Sequence, residues 1–465
     1  MASRISTAWL IAQAATVSGL SFNVPSSPPA NSSAQLTDAP VGVSFEFFAF
    51  PGYWNDVPST STCLQNLKDL SGTWPSIRIG GTTQDRATYD ASSSQQVTYT
   101  VANAGDAPST LTFGPSFMSL AGTYDGKVTI GFNRRLNNLA NTVSAASKAV
   151  DQIGSLHAIE LGNEPNCKSF FSSSDPIAQG SSWTASADYA SEIKWQDAVC
   201  GNLSATNLIS AGVFFGTSPM SIAGLSAAEG QANSYVRQYC SHNYPQSKST
   251  ANLAKLMSHS AIASQIKPFA QEVAAAAAKG KPHVFGETNS ATQGGGGISP
   301  TYGAGLWLLD YVMQALIMGQ YCWWGKYSMG SPYFGAYFAT MALAGADKIA
   351  PLDDQTTGYA AYAIYKDDQP IRVLLYNSDY YTTGTRPSQT FTLSGLPGST
   401  VSAKRLTAAA STSRVDAGQS PTVAGQTFQN GSCKIQGQST VESATVSGGK
   451  ATFTLQASEA LLVTL

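Results

Sequence analysis

The sequence predicts an α/β protein, a (β/α)8 TIM barrel followed by an antiparallel β-sandwich. Three observations carry this. Eight short strand-like segments recur through residue 346. Between them run longer stretches whose apolar residues return every three or four positions, the spacing of an amphipathic helix. From Lys348 onward that period gives way to alternation broken by Gly, Ser, Asp and Pro.

Residues 1–19, MASRISTAWLIAQAATVSG, read as a secretory signal peptide. Arg4 supplies the positive start, Ala8 to Val17 the apolar stretch, and Val17-Ser18-Gly19 the small residues near a cleavage point. Residues 20–35 hold a strand-like piece, Ser21 to Pro25, and a breaker-rich linker; the strand is expected to return to the C-terminal sheet because chain ends often meet. Residues 36–346 form the predicted barrel. Its strands are VGVSFEFFA from Val41, SIRIGGTT from Ser76, VTIGFNR from Val128 and AIELGNEP from Ala158, then LISAGVFF from Leu208, QYCSHNYP from Gln238, HVFGETNS from His283 and QYCWWGKY from Gln320. NNLANTVSAASKAVDQIG and AIASQIKPFAQEVAAAAAKGK are helices between them. Strands alternating with helices call for a parallel sheet, closed or open. An open doubly wound nucleotide-binding sheet lacks support, because no GxGxxG follows the first strand. Residues 347–465 are the β-sandwich, with strands in IRVLLYNS, QTFTLSGL, STVSAKRL and KATFTLQA.

Composition narrows the function. The 465 residues are 43% hydrophobic and only 12% charged, enough to bury a large core. With a net charge of -2 and no basic run, a nucleic-acid partner is not expected, since phosphate binding needs clustered Lys and Arg. No later apolar run is long enough to cross a membrane. The expected location is secreted, extracellular; three sequons, at Asn31, Asn202 and Asn430, fit it. Six cysteines without a CxxC pair speak against zinc and for one or two disulfides, whose pairing spacing does not choose. Four histidines show no ligand spacing, and no metal or cofactor is expected. Oligomeric state does not follow from the sequence.

The chemistry sits at the C-terminal ends of barrel strands. Strand four runs into Gly162-Asn163-Glu164-Pro165-Asn166, and strand seven into Gly286-Glu287-Thr288-Asn289-Ser290. Cleaving a glycosidic bond with retention needs two carboxyls about 5 Å apart, one ionised to attack the anomeric carbon and one protonated to release the leaving oxygen. Glutamates on strands four and seven can face each other across the mouth. Asn163 is placed to bond a sugar 2-hydroxyl.

In these motifs the chain resembles the clan A glycoside hydrolases and, within them, glycoside hydrolase family 79. The resemblance rests on Ser44-Phe45-Glu46-Phe47, Arg78-Ile79-Gly80-Gly81-Thr82, the two glutamate motifs and His242-Asn243-Tyr244. It implies Glu164 as acid/base and Glu287 as nucleophile. It further implies Glu46 and Asp85 as sugar-binding carboxyls and Tyr244 as the hydroxyl that bonds the nucleophile. For the uronate carboxylate it implies the N–H groups of Gly295 and Gly296 and the hydroxyl of Tyr327. The family's tyrosine five residues after the nucleophile is replaced by Thr292. The implied activity is exo-acting, retaining β-glucuronidase, on terminal β-linked glucuronic acid or its 4-O-methyl form in glycans. A neutral β-glycosidase of the same clan, or a carbohydrate-binding protein without turnover, remain the alternatives.

Overall fold

The computed structural model describes residues 19–36, 39–167, 171–318, 321–322 and 329–465. The expected signal peptide lies outside them.

Eight parallel strands form the barrel: β1 (Val41–Glu46), β2 (Ile77–Gly80), β3 (Val128–Phe132), β4 (Leu156–Leu161), β5 (Ile209–Phe215), β6 (Val236–Asn243), β7 (His283–Thr288) and β8 (Tyr321–Cys322). Their order in the sheet is 7-6-5-4-3-2-1-8, a ring that lacks only a ladder between β7 and the two described residues of β8. Every strand begins within two residues of where apolar alternation places it. The helix Leu139–Gln152 buries Thr142, Ala145, Ala146 and Ala149, one face of a 3.6-residue period, and Asn138 caps its start by accepting from the Asn141 N–H. The stretch from Ala261 to Lys281, read as one helix, is two. Pro268 has no N–H to continue the ladder, so the helix His259–Ile266 yields to a 3-10 turn and then to the helix Ala270–Ala278. Between β2 and β3 the chain makes an excursion of three short strands, Ala87–Tyr89, Val97–Thr98 and Leu111–Phe113.

The C-terminal part is a seven-stranded sheet over a three-stranded one. Leu20–Asn23 returns to the smaller sheet, beside Ser388–Ser394, and runs parallel to it, the exception in an otherwise antiparallel domain. The larger sheet is buried on both faces. Ala361, Ala363, Tyr365, Val373 and Leu375 fill the sandwich, whereas Tyr362, Ile364, Leu374 and Tyr376 pack on the barrel. That double burial follows from alternating apolar residues at both parities. One disulfide joins the two parts, Cys63 of the helix Ser59–Ser71 to Cys433 of the β-domain, with Cα atoms 5.4 Å apart.

Candidate active site

The sequence-predicted glutamates converge. A carboxylate oxygen of Glu164, one of Glu287 and a ring nitrogen of His242 all lie within 4.8 Å of one another. Glu164 follows β4 and Glu287 lies in β7, as strand counting expects. Glu164 has a φ of 50°, a left-handed conformation that costs a non-glycine residue free energy. It is held there from β5. Gly212 (φ 92°) and Val213 (φ 53°) depart from strand geometry where the β5–β6 register shifts, and the Val213 carbonyl accepts from the Glu164 N–H at 3.0 Å. The local irregularity thus orients Glu164.

The two carboxyls sit in different fields. Glu164 is 5% exposed, and burial raises its pKa against a 2.9 Å contact with His242 Nδ1. Burial also opposes ionisation of Glu287. There, however, the charges of His242 and Arg78 and the bonds from Tyr244 and Arg78 win, and its pKa is lowered. Arg78 Nη1 donates to Glu287 Oε2 at 2.7 Å, and the Tyr244 hydroxyl donates to Oε1. Tyr244 is backed by Phe215, with ring centroids 6.1 Å apart. The two carboxyls are therefore pushed in opposite directions, Glu164 upward and Glu287 downward.

Arg78 organises the floor. Beyond Glu287 it donates to both oxygens of Glu160, to Ser44 Oγ at 3.1 Å and to Asn163 Oδ1 at 2.9 Å. The Asn163 side chain is thereby fixed through its oxygen. Glu46 accepts from the Thr83 N–H at 2.7 Å and from the Thr83 hydroxyl. Burial, then the nearby Glu287 charge, raises its pKa to about 7. Gly81 must be glycine: its φ is 96°, and a Cβ would stand 2.2 Å from Glu46 Oε2.

Asp85 is 3% exposed. Its oxygens accept the N–H groups of Arg134, Arg135 and Asn163. It holds Asn163 rather than a sugar, and this corrects the expectation that it binds sugar hydroxyls. A divalent cation fits the Glu164–His242–Glu287 trio poorly, because donors from Arg78 and Tyr244 already take both oxygens of Glu287.

The chain is similar to known proteins. The glycosyl hydrolase family 79 C-terminal beta domain matches residues 361–462. A crystal structure of a 4-O-α-L-rhamnosyl-β-D-glucuronidase from Fusarium oxysporum 12S, in a Rha-GlcA complex, is 89% identical. It covers 96% of this chain and 100% of that one, with a TM-score of 0.94. The chain belongs to glycoside hydrolase family 79. A β-glucuronidase from Neurospora crassa is 28% identical over 79% of this chain and 76% of its own. An α-L-arabinofuranosidase from Bifidobacterium longum, at 13% identity and a TM-score of 0.64 over 95% of this chain and 98% of that one, shares the fold.

The remaining family 79 expectations concern the uronate end. Gly295 and Gly296 form a left-handed turn after β7, with φ of 77° and 54°. The turn lies against the loop after β6, where a Cβ on Gly296 would stand 2.5 Å from that of Ala251. Thr292, in the place of the family's tyrosine, donates its N–H to the Gln246 carbonyl at 3.0 Å and so ties the same two loops. Tyr327 lies outside the described residues. Sequence reasoning named Arg78 and His242 within motifs without giving them a role. The available signal was a charge between Ile77 and Ile79 in a strand buried at every position.

Proposed function

We propose that this family 79 enzyme is a retaining β-glucuronidase whose substrate glucuronate carries a 4-O-α-L-rhamnosyl group. Glu287 attacks C1 while Glu164 gives its proton to the leaving oxygen. A glycosyl ester on Glu287 forms. Glu164, now a carboxylate, takes a proton from water, the water oxygen bonds to C1, and the ester breaks with configuration retained. The observation that carries this is the pair of carboxyls with oxygens within 4.8 Å and pKa values pushed in opposite directions. Retaining enzymes hold the pair at about 5–5.5 Å, and inverting ones at about 6.5–9.5 Å to admit a water. The 4-O-rhamnosyl specificity is supported by the 89% identical Fusarium protein. Glu46, Asn163 and Tyr244 serve sugar hydroxyls and the nucleophile, and Gly295 and Gly296 offer N–H groups to the C6 carboxylate. Secretion belongs to the same reading, supported by the Cys63–Cys433 disulfide and by the exposure of Asn31, Asn202 and Asn430.

The test is hydrolysis of an aryl β-D-glucuronide, its 4-O-α-L-rhamnosyl derivative and an aryl β-D-glucoside, followed by proton NMR from the first turnovers. The rhamnosylated substrate should be cleaved best and release the β-anomer first. Initial α-anomer would exclude the double displacement, and a preference for the glucoside would exclude the uronate reading.

A further inference from the structure

One aromatic surface at the barrel mouth has no part in the chemistry above. After Glu46 the chain forms a 3-10 turn, Phe47–Ala49. Phe47 turns inward against Phe113 and Phe117, with centroids at 5.0 and 4.6 Å. Phe48 stays half-buried. Its N–H donates at 3.2 Å to the Thr83 hydroxyl, which in turn donates to Glu46. Phe48 is therefore tied to the same hydroxyl as the carboxyl that feels the charge of Glu287. Tyr99, from the excursion between β2 and β3, meets the Phe48 ring edge-on at 5.3 Å and 88°. Tyr99 is 37% exposed, which places a large ring in water against Phe48, two residues on from Glu46.

We propose that Phe48 and Tyr99 form the subsite for the sugar on O4 of the glucuronate. The proposal rests on the reading above that the substrate is a 4-O-rhamnosyl β-glucuronide. O4 lies across the pyranose ring from C1. With C1 between Glu287 and Glu164, the O4 substituent leaves the ring away from the leaving oxygen, which sits by Glu164 on β4. The β1 end is three strands from β4 in the ring. It carries Glu46 against the glucuronate and, two residues on, Phe48 beyond it. Rhamnose is a 6-deoxy sugar, so it presents a methyl group and C–H faces. Aromatic rings bury such surface well, and their polar tips still meet water. A charged sugar would gain little from that wall.

Tyr99→Ala tests this, assayed on an aryl β-D-glucuronide with and without the 4-O-α-L-rhamnosyl group. Losing one apolar contact of this size changes kcat/KM by about tenfold or more. That loss is expected on the rhamnosylated substrate, chiefly in KM, with the unsubstituted one changed less than about twofold. Tyr99→Phe, which keeps the ring, should match the wild type on both. Equal losses on both substrates, or no loss on the rhamnosylated one, would overturn the subsite while leaving the glucuronidase reading intact. A wild-type protein that hydrolyses neither substrate would overturn both.

Discussion

Glu164 and Glu287 start from the same intrinsic acidity and end on opposite sides of it. Burial acts on both in the same sense, and His242 opposes it at both, so the difference comes from the further groups that bond Glu287, a guanidinium and a phenol. Tyr244 therefore does more than fill space. In Tyr244→Phe one lone pair of Glu287 loses its donor, and a hydrogen bond to a charged group is worth about 1.5–3 kcal/mol. We expect kcat/KM to fall about 10- to 100-fold. The acid limb of its pH profile should also move to higher pH, because a nucleophile with a raised pKa ionises later. A loss of rate with the acid limb unmoved would mean that Tyr244 acts on substrate position instead. At this scale the sequence was legible where function leaves a motif. Asn-Glu-Pro and Gly-Glu-Thr announced the two carboxyls. The parts played by Arg78 and His242 were not legible, because a charge inside a strand says only that it has partners. The partners of Arg78 come from β1, β4 and β7 and meet only in the closed ring. Asp85 went the other way: a carboxyl next to a sugar-site motif proved to be bound by backbone N–H groups from two neighbouring loops.

The elements follow their periodicity closely, and their departures are local. The irregular pair Gly212–Val213 sits in a run, Ile209–Phe215, that reads as ordinary strand; only its neighbour's need for the Val213 carbonyl explains it. Pro268, by contrast, breaks a stretch whose apolar period alone reads as one helix. A second element-level feature, at the foot of the helix His259–Ile266, was silent in the sequence. There His259 lies between Asp310 of the helix Tyr302–Met318 and Asp353 of the β-domain, at 2.8 and 2.9 Å. Burial would lower its pKa, but the two carboxylates raise it to about 10. A histidine raised from 6.5 stabilises the fold fully below 6.5, and that contribution fades as pH rises through about 10. Glu46 and Glu192, raised to about 7 and 8, act in the same sense: above 4.5 the unfolded chain gives up protons that the fold retains. His157 and His283, lowered to about 4 and 3, oppose this, but only below 6.5. The melting temperature should therefore decline as pH rises from 6.5 to 9, and His259→Gln should flatten the decline. A melting temperature that holds level or climbs across that range would contradict this electrostatic account.

At the scale of the whole molecule, the barrel and the sandwich are built as one body. The seven-stranded sheet gives one face to each core. The carbonyls of Ser413 and Ser411 accept the Tyr302 and Gly303 N–H groups that open the helix after β7, satisfying donors that a helix start leaves unpaired. The Cys63–Cys433 bridge adds a covalent link between the two parts. The change of period near Lys348 was enough to find the second domain. The contacts that dock it were not legible, because they pair residues hundreds of positions apart and leave no local pattern. What this assembly accomplishes is to keep eight strand ends in a fixed ring, so that Glu164, after β4, and Glu287, on β7, meet where we propose that the sugar binds. The direct measurement is to trap that sugar. A 2-deoxy-2-fluoro-β-glucuronyl fluoride, 4-O-rhamnosylated or plain, should inactivate the enzyme with time and leave one added glycosyl mass. Peptide mapping should place it on Glu287. Label on another residue, or no covalent adduct from a substrate analogue that binds, would contradict the account.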